Sequence, residues 1–314
     1  MKSSRRAAAI DLGTNTFHLL VADIHDNSFE VIHNETKPVR IGAGGITEGF
    51  ITPEAQIRAL QTIRKFKTIT DKLNVEIVEI YATSAFRSAE NAGKFISGIK
   101  SETGLSPQII DGKSEVEFIY RGVREALQML DIIHLIIDIG GGSNEFIICD
   151  AKKILWFESF KIGAQRLKDR FHHDEPISEN DVERLYHFLD ERLDPLSDAM
   201  VRYQPEVLAG CAGTFDTLSD IYEIRNNIPS TRDKSEGNFD KNAFAPIFQE
   251  LKSKTYAERM RIPGMTRLRA EMIVVATCLI NWVLSKHLFK KMRISRYAMK
   301  EGILFNIMYR KASK

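Results

Sequence analysis

Ile10-Asp11-Leu12-Gly13-Thr14-Asn15-Thr16 aligns residue for residue with Ile137-Asp138-Ile139-Gly140-Gly141-Gly142-Ser143. The match continues without a gap, Leu19-Leu20-Val21-Ala22-Asp23 lying against Phe146-Ile147-Ile148-Cys149-Asp150. Farther on, Arg40-Ile41-Gly42-Ala43 corresponds to Lys161-Ile162-Gly163-Ala164 after a shorter intervening segment. One Gly-rich turn resembling another carries little weight. Agreement of turn, strand-end Asp and a later Ile-Gly-Ala makes duplication the better explanation.

Each copy reads as three strands. A short apolar run (Ala7–Ile10; His134–Ile137) ends at Asp, a Gly-rich turn follows, and a second strand (Phe17–Asp23; Asn144–Asp150) leads to a third (Phe29–Asn34; Ile154–Phe160). Thr52 with Pro53 starts a helix in the first copy, and Ser178 with Asp181 approximates a capping box in the second. Strands at Val75–Ala82 and Val207–Ala209 come next and run into Thr83-Ser84 and Gly213-Thr214. The first copy adds a helix near Arg87–Lys100, a strand near Gln108–Ile110 and a helix from Ser114 to about Met129. The order βββαβα therefore occurs twice. It predicts an α/β protein of two duplicated domains around a central cleft, residues 1–124 and 125–299, with a helix over about 300–314 packing back on the first.

The 314 residues suit two domains. A hydrophobic fraction of 43% and a charged fraction of 27% exclude disordered and fibrous classes. Lys plus Arg number 44 and Asp plus Glu 42, so nothing favours a generic nucleic-acid binder. Cys149, Cys211 and Cys278 are far apart and lack metal-ligand spacing, which reads as reduced thiols in a cytoplasmic protein. The apolar stretch Ala7–Ile10, preceded by Lys2, Arg5 and Arg6, is too short for a signal peptide. Met272–Ile280 falls short of the ~20 residues a membrane span needs, so no membrane partner is expected.

Asp at a strand end before Gly-rich backbone suits phosphate plus a cation. Glycines let N–H groups approach an anion closely, and a carboxylate beside phosphate needs a divalent ion or its water shell between them. Asp-x-Gly is also the ordinary chemistry of a tight turn. The pairing of two such turns and the triple Gly140-Gly141-Gly142 favour phosphate. Neither a P-loop nor a Gly-x-Gly-x-x-Gly helix start is present.

Four segments resemble the exopolyphosphatase/guanosine pentaphosphate phosphohydrolase family of the sugar kinase and actin superfamily. They are Ala9–His18, Ala82-Thr83-Ser84-Ala85-Phe86-Arg87, Ile110-Asp111-Gly112-Lys113-Ser114-Glu115 and Ile137–Glu145. The resemblance covers nearly the whole chain and looks like a short form without an extra C-terminal helical domain. It implies two actin-like (ribonuclease H-like) domains and Mg²⁺-dependent release of orthophosphate from inorganic polyphosphate or guanosine pentaphosphate. It leaves room for another divalent ion, a monovalent cation and a homodimer.

Residue by residue, the resemblance makes Glu115 the general base that orients water and Arg87 the cation on the terminal phosphate. Gly13, Thr14, Asn15, Gly140, Gly141, Gly142 and Ser143 would cradle phosphates, and Asp11, Asp138 and Glu145 would organise the metal. Read locally, Ser114-x-x-Glu117 fits a capping box with Glu115 complementing the helix dipole, Arg87 is a solvated cation, and Glu145 an outward strand residue. The family's Arg is replaced by Glu117, an acid that disfavours a polyanion if it lies near the site. Gly210–Thr214 reads as a strand-to-helix turn, His172-His173 as surface residues, and Arg259, Arg261, Arg267 and Arg269 as solvated charge with some interest for a polyanion. A kinase would need ATP and an acceptor. A non-enzymatic polyphosphate or alarmone sensor would not need Glu115.

Overall fold

The computed structural model describes residues 5–26 and 28–312; Lys2 and the last two residues of the expected C-terminal helix lie outside them. The chain divides into two compact units, one of residues 1–122, 140–142 and 299–314, the other of residues 123–139 and 143–298.

In the first unit β1 (Arg5–Leu12), β2 (Thr16–Ile24) and β3 (Phe29–Pro38) form an antiparallel meander, followed by α1 (Pro53–Lys72), β4 (Ile77–Ala82), α2 (Ser84–Ser88), α3 (Ala92–Thr103), β5 (Gln108–Ile109) and α4 (Gly112–Leu127). The sheet order is β3-β2-β1-β4-β5, with β1, β4 and β5 parallel. The run Ala7–Ile10 is wholly buried, as expected of a central strand covered on both faces, while the edge strand β3 is mostly exposed or half-buried and carries charges. Thr52 caps α1 by accepting the Ala55 N–H at 3.2 Å, with Pro53 at the first helical position.

The helix expected near Arg87–Lys100 is broken into α2 and α3. Ala89 is extended, the Glu90 N–H donates to the Gly49 carbonyl, and Asn91 exchanges two hydrogen bonds of 2.8 and 2.9 Å with the Ile51 backbone. Ser114 is not the cap of α4. Asp111 takes that place, its Oδ1 accepting the Ser114 N–H at 2.8 Å, so Ser114 and Glu117 form no capping box.

The second unit repeats the meander as β6 (His134–Ile139), β7 (Asn144–Cys149) and β8 (Ile154–Phe160). Three helices follow where one was expected: α5 (Ala164–Phe171), α6 (Glu179–Arg192) and α7 (Asp194–Tyr203). Then come β9 (Val207–Cys211), α8 (Ala212–Arg225), β10 (Glu236–Gly237), α9 (Phe244–Ser253), α10 (Tyr256–Arg259), α11 (Arg267–Ala270), α12 (Ile273–Lys286) and β11 (Lys291–Ser295). The order β8-β7-β6-β9-β11-β10 reproduces the first sheet with one short edge strand added. Both units are thus actin-like, ribonuclease H-like α/β folds. The chain closes with α13 (Met299–Ala312), which belongs to the first unit. Among the described residues no helix is long and apolar enough to cross a membrane.

Candidate functional site

In the first unit the carboxyl ends of the parallel strands β1, β4 and β5 deliver Asp11, Thr83-Ser84 and Asp111 to one end of the sheet, where α/β folds place their ligands. The turn after β1 is closed by the Gly13 N–H donating to the Thr16 carbonyl at 3.1 Å. The repeated Ile-Gly-Ala segment docks on this turn. The Asn15 carbonyl accepts the N–H groups of Val39 and Arg40, and the Thr14 carbonyl accepts that of Gly42. Thr14 and Asn15 are buried, and Asp11 Oδ1 and Thr14 Oγ1 are buried without a hydrogen-bond partner among the described residues.

Gly140–Gly142 group with this unit. A Cβ on Gly142 would lie 2.5 Å from Thr14 Oγ1 and 2.7 Å from Ser84 Oγ, and one on Gly141 would lie 2.4 Å from Asn15 Nδ2. Only glycine admits that approach. The backbone of the second turn therefore lies directly against the Thr14 and Asn15 side chains of the first, with no side chain of its own between them.

Glu115 sits in the first turn of α4, 7% exposed, and its Oε2 accepts from Arg87 Nη1 at 2.6 Å. Arg87 Nη1 also donates to the Ile110 carbonyl at 3.0 Å, which fixes the guanidinium over the end of β5. Glu117, two residues on, faces the other side of the helix and is exposed, so the acid that replaces the family's Arg is turned away from Glu115. Burial pushes the Asp11 carboxyl up to about 7; the negative charges of Glu115 and Glu301 add to this and Lys300 opposes it. Lys300 and Glu301, ion-paired at 2.8 Å in the first turn of α13, escaped the sequence reading. Their signal is Gly302, whose Cβ would fall 1.9 Å from the Phe118 carbonyl of α4, marking a close helix approach.

A buried carboxylate oxygen without a partner, three residues before an orphaned hydroxyl, is suited to a cation or the water it carries. No three His, Cys, Asp or Glu side chains among the described residues form a ready ligand set, so an ion here would complete its shell from phosphate oxygens and water.

In the second unit Asp138 ends β6 and is buried. Glu145, 2% exposed, is turned inward and its Oε1 accepts from Ser143 at 2.6 Å and Ser159 at 2.8 Å. Asn144 is a brace, its Nδ2 donating to the Ile162 carbonyl at 2.8 Å. The Cys211 thiol is pushed well up by burial and then by Asp138. The Arg269 guanidinium rests on the first turn of α8, its Nη2 lying 1.8 Å from where a Gly213 Cβ would be. Burial pulls Arg269 down, while Asp216 and Asp138 favour its charge.

Two surface expectations are overturned here. Arg259 is fully buried, its guanidinium bidentate to Glu175 at 2.8 and 2.9 Å and bonded to the Ala270 carbonyl. His172 is buried too, with Nε2 3.5 Å from Glu175 Oε1. Arg261 and Arg267 are exposed.

Residues 20–311 match the family model described as the Ppx/GppA phosphatase family. The chain is similar to an exopolyphosphatase from Cytophaga hutchinsonii, with 42% identity over 97% of this chain and 98% of that one and a TM-score of 0.94. It is also similar to the Aquifex aeolicus member of the Ppx/GppA family, with 25% identity over 98% and 99% and a TM-score of 0.83.

Proposed function

For a chain that belongs to the Ppx/GppA phosphatase family, we propose that it is an exopolyphosphatase, hydrolysing the terminal phosphoanhydride of inorganic polyphosphate. The observation that carries this reading is the pair of buried Glu115 and half-buried Arg87 at the head of α4, in the same unit as the Asp11–Asn15 turn and the three glycines. Exopolyphosphatase is also the description carried by the relative that is 42% identical.

In this mechanism the backbone of Gly13–Asn15 and Gly140–Gly142 binds phosphate oxygens, with the Thr14, Asn15 and Ser143 side chains beside it. Arg87, paired with Glu115 in the free protein, turns part of its fork to the terminal phosphate and stabilises charge building on its oxygens. Glu115 orients a water in line with the terminal phosphorus and takes its proton on a carboxylate oxygen. The first turn of α4 carries Glu115 and the Ile110 carbonyl anchors Arg87, so the guanidinium need turn only in part. Mg²⁺, when bound, would neutralise phosphate charge; Asp11 is the residue best suited to hold it, with Asp138 and Glu145 as the corresponding acids of the second unit. Arg269 is a further cation for a polyanion.

The test is Glu115→Gln, which keeps shape and removes the base. Phosphate release should fall by about 100-fold or more while polyphosphate still binds; unchanged turnover would sink the assignment. The same assay on guanosine pentaphosphate separates the two substrates the family admits, and faster release from the nucleotide would replace polyphosphate in this reading.

A further inference from the structure

A pocket of about 500 Å³ in the second unit lies apart from every residue assigned above. The topology fixes its place. Along the parallel strands β6, β9 and β11, His134, Val207 and Lys291 stand abreast at the amino ends, while Asp138 and Cys211 stand at the carboxyl ends. Helix α8 runs back from Cys211, so Tyr222 in its last turn returns to the amino ends. β10 is antiparallel to β11, with Glu236 opposite Ser295 and Gly237 opposite Ile294, so Asn238 and Phe239 run on toward the Met292 end of β11. The pocket is bounded by these three segments, about 10–13 Å along β11 from the end that carries the Asp138 turn.

Its chemistry has two halves. The Tyr222 and Phe239 rings, 5.5 Å apart and inclined at 58°, line it with Ile228 and Met292 beside them, giving an apolar wall for a flat ring. Lys241, Lys290 and Lys291 line it with Asp240, and Glu206 pairs with Lys290, a local excess of one positive charge from three lysines and two acids. The Lys241 ammonium is held by the Phe289 carbonyl at 2.6 Å and that of Lys290 by Glu206 at 2.5 Å, while Lys291 is exposed at the rim. The Asn238 backbone is pinned by its N–H donating to Glu223 at 3.1 Å, and the side chains of Asn238 and Asn242 offer amides at the mouth. The volume is that of a small-molecule site.

We propose that this pocket is a second ligand site that binds a purine nucleoside diphosphate, the base against Tyr222 and Phe239 and the phosphates on the lysines. A plain phosphate chain would leave the apolar wall without a partner, and an uncharged ring would leave the exposed Lys291 ammonium at the rim unused. The inference stands independently of which phosphoanhydride is hydrolysed at the first unit's site.

Isothermal titration calorimetry with ADP tests it. Lys291→Glu, a surface change that should leave the fold intact, is expected to weaken binding about tenfold or more, and Phe239→Ala similarly. Arg87→Ala should leave ADP binding unchanged, and inorganic tripolyphosphate should displace ADP far less well than unlabelled nucleotide does. The proposal is overturned if Lys291→Glu binds like the parent, if Arg87→Ala loses ADP, or if tripolyphosphate competes as well as the nucleotide.

Discussion

Replacing Asp11 by Asn should stabilise this protein while disabling it, and the pH at which it does so can be worked out. Asp11 is raised from 3.8 to about 7 in the folded chain, by burial first and then by Glu115 and Glu301. The unfolded chain loses that proton near the ordinary carboxylate value. Between about pH 4 and pH 7 the folded state therefore binds a proton the unfolded state has released, so stability falls as pH rises through this window and stays down above it. At about 1.4 kcal/mol per tenfold change in proton affinity, the full penalty is on the order of 4 kcal/mol. Asp11 as a residue is only partly buried although its Oδ1 is closed off, so roughly 2–4 kcal/mol is the expected difference. Urea unfolding of both chains in chelator, from about pH 4 to pH 8, isolates this group because the other titrations cancel. The two should unfold together at the acid end, with Asp11→Asn the more stable at the alkaline end. Added Mg²⁺ should then close the gap by stabilising only the parent. A variant less stable than the parent at about pH 8, or a gap that does not vary with pH, would refute the reasoning.

Three further outcomes are expected. Gly141→Ala sets a methyl 2.4 Å from Asn15 Nδ2, the end of a side chain that can yield, so phosphate release should drop about tenfold with little loss of melting temperature; full activity would mean the turns need not touch. Gly302→Ala meets backbone instead, 1.9 Å from the Phe118 carbonyl, and should cost about 2 kcal/mol in urea unfolding; an unchanged midpoint would rule out the close packing of α13 on α4. Arg259→Met strands Glu175 and the Ala270 carbonyl, and about 3 kcal/mol should be lost; a loss below about 1 kcal/mol would class the pair as an ordinary surface bridge.

What sequence could and could not tell follows from the range of the interactions involved. The duplicated turns were legible because each is local, and the Ile-Gly-Ala segments were a clue whose meaning is now physical: Gly42 donates its N–H to the Thr14 carbonyl. That Glu115 and Glu117 diverge also follows from helix periodicity alone. The choice between Asp111 and Ser114 as cap did not, since both residue types serve and the end of β5 decides. The break between α2 and α3 depends on Asn91 bonding to Ile51, forty positions away. Arg259 looked like one more cation in a basic run, and its partner Glu175 is 84 residues distant. Lys300 and Glu301 are brought near Asp11 only by the closing helix, and Gly302 beside them marks the close approach to α4 without naming what the two charges face.

That closing helix has a consequence for synthesis. The first unit is discontinuous: residues 299–312 complete it, yet a ribosome makes them after the whole of the second unit. Domains tend to fold as they emerge, amino-terminal first. Here the leading unit must wait, its sheet formed but uncovered where α13 will lie, until the second unit has already had time to fold. The Lys300 and Glu301 charges that act on Asp11 arrive with α13, so a nascent chain would hold the Asp11 turn without them until the whole of the second unit had been made.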